Sequence, residues 1–144
     1  MKKQSYSNHR RYDPFFHIVF SALILAILIA SIVNFINLLD EPDRILSSMI
    51  LIAISLFCCI AYYFIRIFAV KLQDRIIRSE ENMRHFQLTG QPLDQKLHMH
   101  QIIALRFSPD SEFIDLCKEA VENKLTSEEI KKAISRWKGD YHRV

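Results

Sequence analysis

The chain has 144 residues, of which 50% are hydrophobic and 24% charged, with a formal net charge of +3, two glycines and three cysteines. Two glycines leave no phosphate-cradling Gly-rich loop, and no nucleophile sits beside a base in a recognisable motif, so the composition argues against an enzyme. The basic excess is not gathered on a face or long tail, which argues against nucleic acid, and three cysteines do not form a disulfide framework.

The mean hydropathy of +0.05 averages a very apolar first half against a polar second half. Residues 1–14 form a basic arm in which Lys2, Lys3, Arg10 and Arg11 outweigh Asp13. Asp13-Pro14 then reads as a helix start, with Asp at the cap and Pro at the first helical position. Residues 15–39 and 45–65 are uncharged apolar runs, each long enough to cross a bilayer as a helix, which takes about 20 residues. Between them, loop 40–44 holds Asp40, Glu41 and Asp43 against Arg44. A cleaved signal peptide fits poorly, because the first run exceeds the usual h-region and ends in Asn34-Phe35-Ile36-Asn37 without a small-x-small site. Bases flank the outer ends of both runs (Arg66, Lys71, Arg75 and Arg78 follow the second), so both termini are expected in the cytoplasm and the loop outside.

The two spans are expected to pack as a hairpin along small residues. Ala22, Ala26, Ala30 and Asn34 recur every four residues in the first, and Ser47, Ser55 and Cys59 share a four-residue repeat in the second. Close approach and side-chain hydrogen bonds hold helices together in lipid, so these stripes are expected to face each other, Asn34 near Ser47 and Ala22 near Cys59. Asn34 and Asn37 read as structural glue rather than a transport path. Cys58 and Cys59 project about 100° apart on a helix and read, with Cys117, as reduced buried thiols.

Tyr62, Tyr63 and Phe64 form an interfacial aromatic belt ahead of the basic anchor Arg66 and Lys71. Nothing stops the helix there, so it is expected to continue as a juxtamembrane helix over 66–88. Ile65, Ala69, Leu72, Ile76, Ser79, Met83 and Phe86 alternate spacings of four and three, a heptad seam. A second copy of the chain or its own tail could pack on Leu72, Ile76, Met83 and Phe86, and packing of its own tail is the preferred expectation. Thr89-Gly90-Gln91-Pro92 is a stop signal.

Residues 93–144 read as a cytosolic module of three short amphipathic helices. Asp94 is expected to cap the first, and Ser108-Pro109-Asp110 opens the second. A capping box at Thr126 and Glu129 opens the third, which should carry Ile130, Ala133, Ile134 and Trp137 on one face and close at Gly139. About 50 residues rarely fold alone, so the module should lean on the 66–88 helix. The expected fold is therefore all-α: a two-helix transmembrane hairpin whose second helix extends into a small cytosolic helical bundle.

No residue reads as catalytic, cofactor-binding or metal-ligating. His98-x-His100 is spaced i, i+2, which diverges on a helix, whereas helical zinc pairs use i, i+4. The one polar cluster of interest is interfacial: Asn8, His9, Arg11 and His17. The basic flanks should lie against anionic lipid headgroups.

Several segments carry a resemblance. Gln4-x-Tyr6-x-Asn8-His9-x-Arg11 with Pro14-x-x-His17 opens the chain, and Gln73-Asp74-Arg75-x-Ile77-Arg78-x-Glu80-Glu81 and Gln101-x-Ile103-Ala104-Leu105-Arg106-Phe107 follow. Ile130-Lys131-Lys132-Ala133-Ile134-x-x-Trp137 and Asp140-Tyr141-x-Arg143-Val144 complete the set. Together they resemble an uncharacterised family of small bacterial two-span membrane proteins, a domain of unknown function. The resemblance implies architecture and a bacterial inner-membrane setting, and transfers no functional residue. The expected role is a membrane-anchored adaptor acting through its cytosolic module on a protein partner or a second copy. The alternative is a small membrane enzyme or ligand sensor built on Asn8, His9, Arg11 and His17.

Overall fold

The computed structural model describes residues 13–139. All secondary structure among them is helical: α1 is Ser21–Asn37, preceded by a π-helical stretch over Phe15–Phe20; α2 is Pro42–Thr89, α3 Met99–Leu105, α4 Asp110–Glu122 and α5 Ser127–Ala133. The chain divides into two units, Tyr12–Ala69 and a second one built from Val70 onward. The long α2 contributes to both.

In the first unit, Asp13 caps the helix start. Its Oδ1 accepts from the backbone N–H of Phe15 at 2.9 Å and of Phe16 at 3.2 Å. The turn between the helices covers residues 38–41, shorter than expected, because Pro42 already occupies the first turn of α2. A pyrrolidine ring suits that position, where no helical N–H is needed, and Asp43 complements the positive end of the helix. Glu41 and Arg44 pair across this turn at 3.2 Å.

The helices pack along a different stripe from the alanine one. Ser31, Ser48 and Ser55 are buried, while Ala22, Ala26, Ala30 and Ser47 are exposed. The Ser31 and Ser55 hydroxyls meet at 3.0 Å. Around them Ile24, Leu28, Phe35, Ile45, Ile52 and Cys59 are half-buried, and so is Asn34 at the margin. A strict repeat of four advances 400° per step and drifts 40° around the helix each time, so Ala22 and Asn34 end on different sides. Spacings of three and four (21, 24, 28, 31, 35, 38) stay on one face. At the far end Tyr62 ties the pair: its hydroxyl lies 2.7 Å from Ser21 Oγ and donates to the Phe16 carbonyl at 3.1 Å. The Phe16 ring stacks on it at 4.8 Å.

The second unit begins with residues 70–89 of α2. That helix ends where Gly90 turns left-handed (φ +72°), its N–H bonding to the Phe86 carbonyl at 2.8 Å. Glycine enters this conformation without a Cβ penalty. Asp94 closes a local turn instead of capping α3, accepting from the Lys96 N–H at 2.8 Å. The cap position falls to His98, whose extended backbone N–H donates to Gln101 Oε1 at 2.8 Å. Thr126 and Glu129 do form a capping box: the Glu129 carboxylate accepts from the Thr126 N–H at 2.7 Å, and Thr126 Oγ1 accepts from the Glu129 N–H at 3.3 Å.

The third tail helix is shorter than its periodicity predicts. α5 ends at Ala133, and Ile134 is extended (ψ 115°). Ser135 turns both its N–H and its hydroxyl onto the Glu112 carboxylate. Trp137 stacks on Phe107 at 4.6 Å and Lys138 N–H bonds to the Phe107 carbonyl at 2.7 Å. These contacts replace the turn of helix that the spacing of Ile134 and Trp137 suggested.

The core of this unit comprises Ile77 of α2 with Leu93, Leu97, Ile102, Ala104, Leu105, Phe113, Leu116, Cys117, Ala120 and Ile130, all buried. Asn82 helps fasten the tail, its Oδ1 accepting from the Leu93 N–H at 2.9 Å.

Candidate functional site

The most elaborate polar arrangement is centred on Arg84. On α2, Glu81 and Arg84 stand one turn apart and pair at 3.0 Å, with side chains only 8% and 12% exposed. The guanidinium also meets Asp110 at the start of α4 at 2.5 Å and donates to the Ser108 carbonyl at 2.8 Å. Its plane covers the Phe113 ring at 4.1 Å. Five donors in a planar fork suit one residue to all these tasks, which Lys could not reproduce. Burial pushes the Glu81 carboxyl above its usual range, outweighing the opposing pull of Arg84. The Cys117 thiol, buried and near Glu81, is pushed up to about 12. A thiol held protonated is a poor nucleophile and a poor metal ligand. The cluster therefore braces α2 against the tail.

Two open depressions lie in the same unit. One, of about 560 Å³, lies between Arg75, Arg78, Ser79 and Asn82 on α2 and the 92–95 loop. The other, of about 590 Å³, is lined by Lys96, His98, His100 and Lys124 among others. There the His98 and His100 rings stack in parallel at 5.6 Å, because His98 precedes α3 in extended backbone and the helical divergence of an i, i+2 pair does not apply. No group of three His, Cys, Asp or Glu side chains among the described residues could hold a metal ion.

Of the four residues expected to form an interfacial cluster, Asn8, His9 and Arg11 lie outside the described residues, as does the 140–144 end. His17 is half-buried, its ring Nδ1 donating to the Asp13 carbonyl at 3.0 Å and its edge meeting Phe16 at 5.3 Å.

The stripe Leu72, Ile76, Met83 and Phe86 is not where the tail packs. These residues are 59%, 50%, 57% and 53% exposed, whereas Ile77 and Glu81, on the other side of the same helix, are 4% and 6% exposed. The Ile77–Glu81–Arg84 face offers the tail an apolar contact together with a fork that meets the Ser108 carbonyl and the Asp110 carboxylate. Sequence reasoning passed over Glu81 and Arg84, although their i, i+3 spacing was a signal.

Neither a curated protein nor a solved structure matches the chain. A family model matches residues 1–144, and on that coverage the chain belongs to the family of unknown function DUF6526.

Proposed function

We propose that the chain is a membrane-anchored adaptor of the bacterial inner membrane. Its α1–α2 hairpin crosses the bilayer, both termini lie in the cytoplasm, and the helical unit beyond Val70 is the interaction module. One observation carries the anchoring: the apolar windows of Phe15–Asn37 and Pro42–Thr89 are only 6% and 11% buried within the chain. A soluble protein rarely leaves so much contiguous apolar surface in water, whereas lipid tails cover it without cost. Buried serines and a Ser31–Ser55 hydrogen bond between the two helices suit close packing in lipid, where apolar contact alone gives no drive. At 48 residues α2 is more than twice the roughly 20 residues of one crossing, so a long stretch of it remains for the cytosolic unit. The basic flanks and the acidic 40–44 loop orient the hairpin, and the flanks rest on anionic headgroups.

The adaptor reading is supported by a second unit with its own core and a polar brace, carrying a well-exposed apolar stripe. Alkaline carbonate extraction of native membranes, with protease protection of tags at both ends, tests the anchoring. The protein is expected in the pellet with both tags cut only when the cytoplasmic side is opened. Release into the supernatant would refute the anchor. Crosslinking followed by mild-detergent pull-down and mass spectrometry tests the adaptor role, which fails if nothing associates with the chain at all. Activity that disappears in His17→Ala with associations intact would move the reading to an interfacial enzyme or sensor.

A further inference from the structure

Along residues 70–89 of α2 the chain's own tail covers the Ile77–Glu81–Arg84 side and, through Asn82 and the 92–95 loop beside Arg75 and Ser79, reaches one margin of the opposite face. In the heptad register of the sequence, Leu72, Ser79 and Phe86 take d positions and Ile76 and Met83 take a positions. Ile77, Glu81 and Arg84 then fall at b, f and b, on the far side, where the tail covers them, and Asn82, which accepts from the Leu93 N–H, sits at g on the seam's edge. The large a and d side chains stay 50–59% exposed, and Ser79 is exposed with them. A row of this kind is the seam of a coiled coil lacking its second strand.

The flanking charges say what the second strand is. Arg75 occupies g and Glu80 the following e, and both are exposed. In a parallel two-stranded coil, g meets the partner's e five residues on, so Arg75 of each strand meets Glu80 of the other. A twofold axis makes that pair twice. In an antiparallel coil g faces g and e faces e, and the complementarity is lost. We propose that this face binds a second copy of the chain as a parallel coiled coil over residues 72–86. The inference rests on the anchoring proposed above: two copies inserted in the same sense present α2 in parallel. Their confinement to one bilayer also raises the effective concentration that a seam of about two heptads with a central serine requires.

The test uses the full chain in its native membranes. Ser79→Cys places a thiol at a d position and is expected to give a disulfide-linked dimer on mild oxidation. Arg78→Cys, at an outer c position, should give none beyond the level of the parent with its own cysteines. Ile76→Asp with Met83→Asp, added to Ser79→Cys, is expected to lower the crosslinked fraction about tenfold or more. Protease resistance of the tail should be unchanged, because both side chains are exposed. Arg75→Glu and Glu80→Arg should each weaken the crosslink, and the two together should restore it. Equal crosslinking at positions 78 and 79 would overturn the inference. So would a charge swap that fails to restore pairing, since a different protein would then occupy the seam. Carbonate extraction of the same samples separates the two readings: a chain that crosslinks yet washes off membranes refutes the anchor alone, and one that stays in the pellet without crosslinking refutes the pairing alone.

Discussion

Arg84 meets a carboxylate on its own helix, a carboxylate and a carbonyl from the tail, and an aromatic face. Removing it leaves Glu81 buried without its cation, and breaking a buried pair costs about 3–5 kcal/mol. Arg84→Ala is therefore expected to destabilise the tail by about 3 kcal/mol in denaturant titrations followed by circular dichroism, with Arg84→Lys recovering only part of it. Glu81 has a pH signature of its own. Its folded pKa is raised above the ordinary 4.5 by burial, so the folded state binds this proton more tightly than the unfolded one. Stability from this group is highest at low pH and falls as pH rises from 4.5 through the raised value. Glu112 and Glu129, lowered by hydrogen bonds from Ser135 and Thr126, act in the opposite sense and are lost as pH falls. Comparing Glu81→Gln with the parent cancels those two. The variant's relative stability should rise with pH across that window, and a difference flat from about pH 4 to pH 8 would contradict the assignment.

At the scale of elements, boundaries set by local chemistry were readable and those set by distant contacts were not. The stop at Gly90 needs a left-handed residue, and the capping box at Thr126 lies within four residues, so both appear in the sequence as they do in the fold. The end of α5 depends on Glu112 and Phe107, more than twenty residues away, and the helical spacing of Ile130, Ala133, Ile134 and Trp137 gave no sign of it. Trp137→Ala should thus cost about 2–3 kcal/mol through loss of the Phe107 stack, with Trp137→Phe retaining most of the stability. Equal cost for both variants in thermal melts would show that ring stacking is not what holds the segment. The hairpin seam was half legible. Ser55 and Cys59 lie on or beside it, but a repeat of four suggests a straight stripe, whereas the packed face follows spacings of three and four.

For the whole molecule, the tail depends on α2. Ile77 belongs to its core, and Asn82 and Arg84 bond to the segments after Gly90. A fragment of residues 70–144 should therefore unfold cooperatively in urea, while 90–144 alone should show no transition. A cooperative transition in the shorter piece would mean that its core closes without Ile77. Sequence by itself determined the helical class, the two apolar runs, the caps and stops, and the family, because composition, periodicity and capping act over a few residues along one chain. Only the tertiary structure decided which face of each helix is covered. Several stripes on α1 and α2 were apolar enough to pack, and the choice went to the faces that also satisfied polar groups: serine against serine in the hairpin, Arg84 and Asn82 against the tail. Unpaired polar groups are costly to bury, so they select among apolar faces that hydrophobicity leaves nearly equal. The Leu72–Ile76–Met83–Phe86 stripe, whose side chains satisfy no polar group of the tail, stays exposed within the chain.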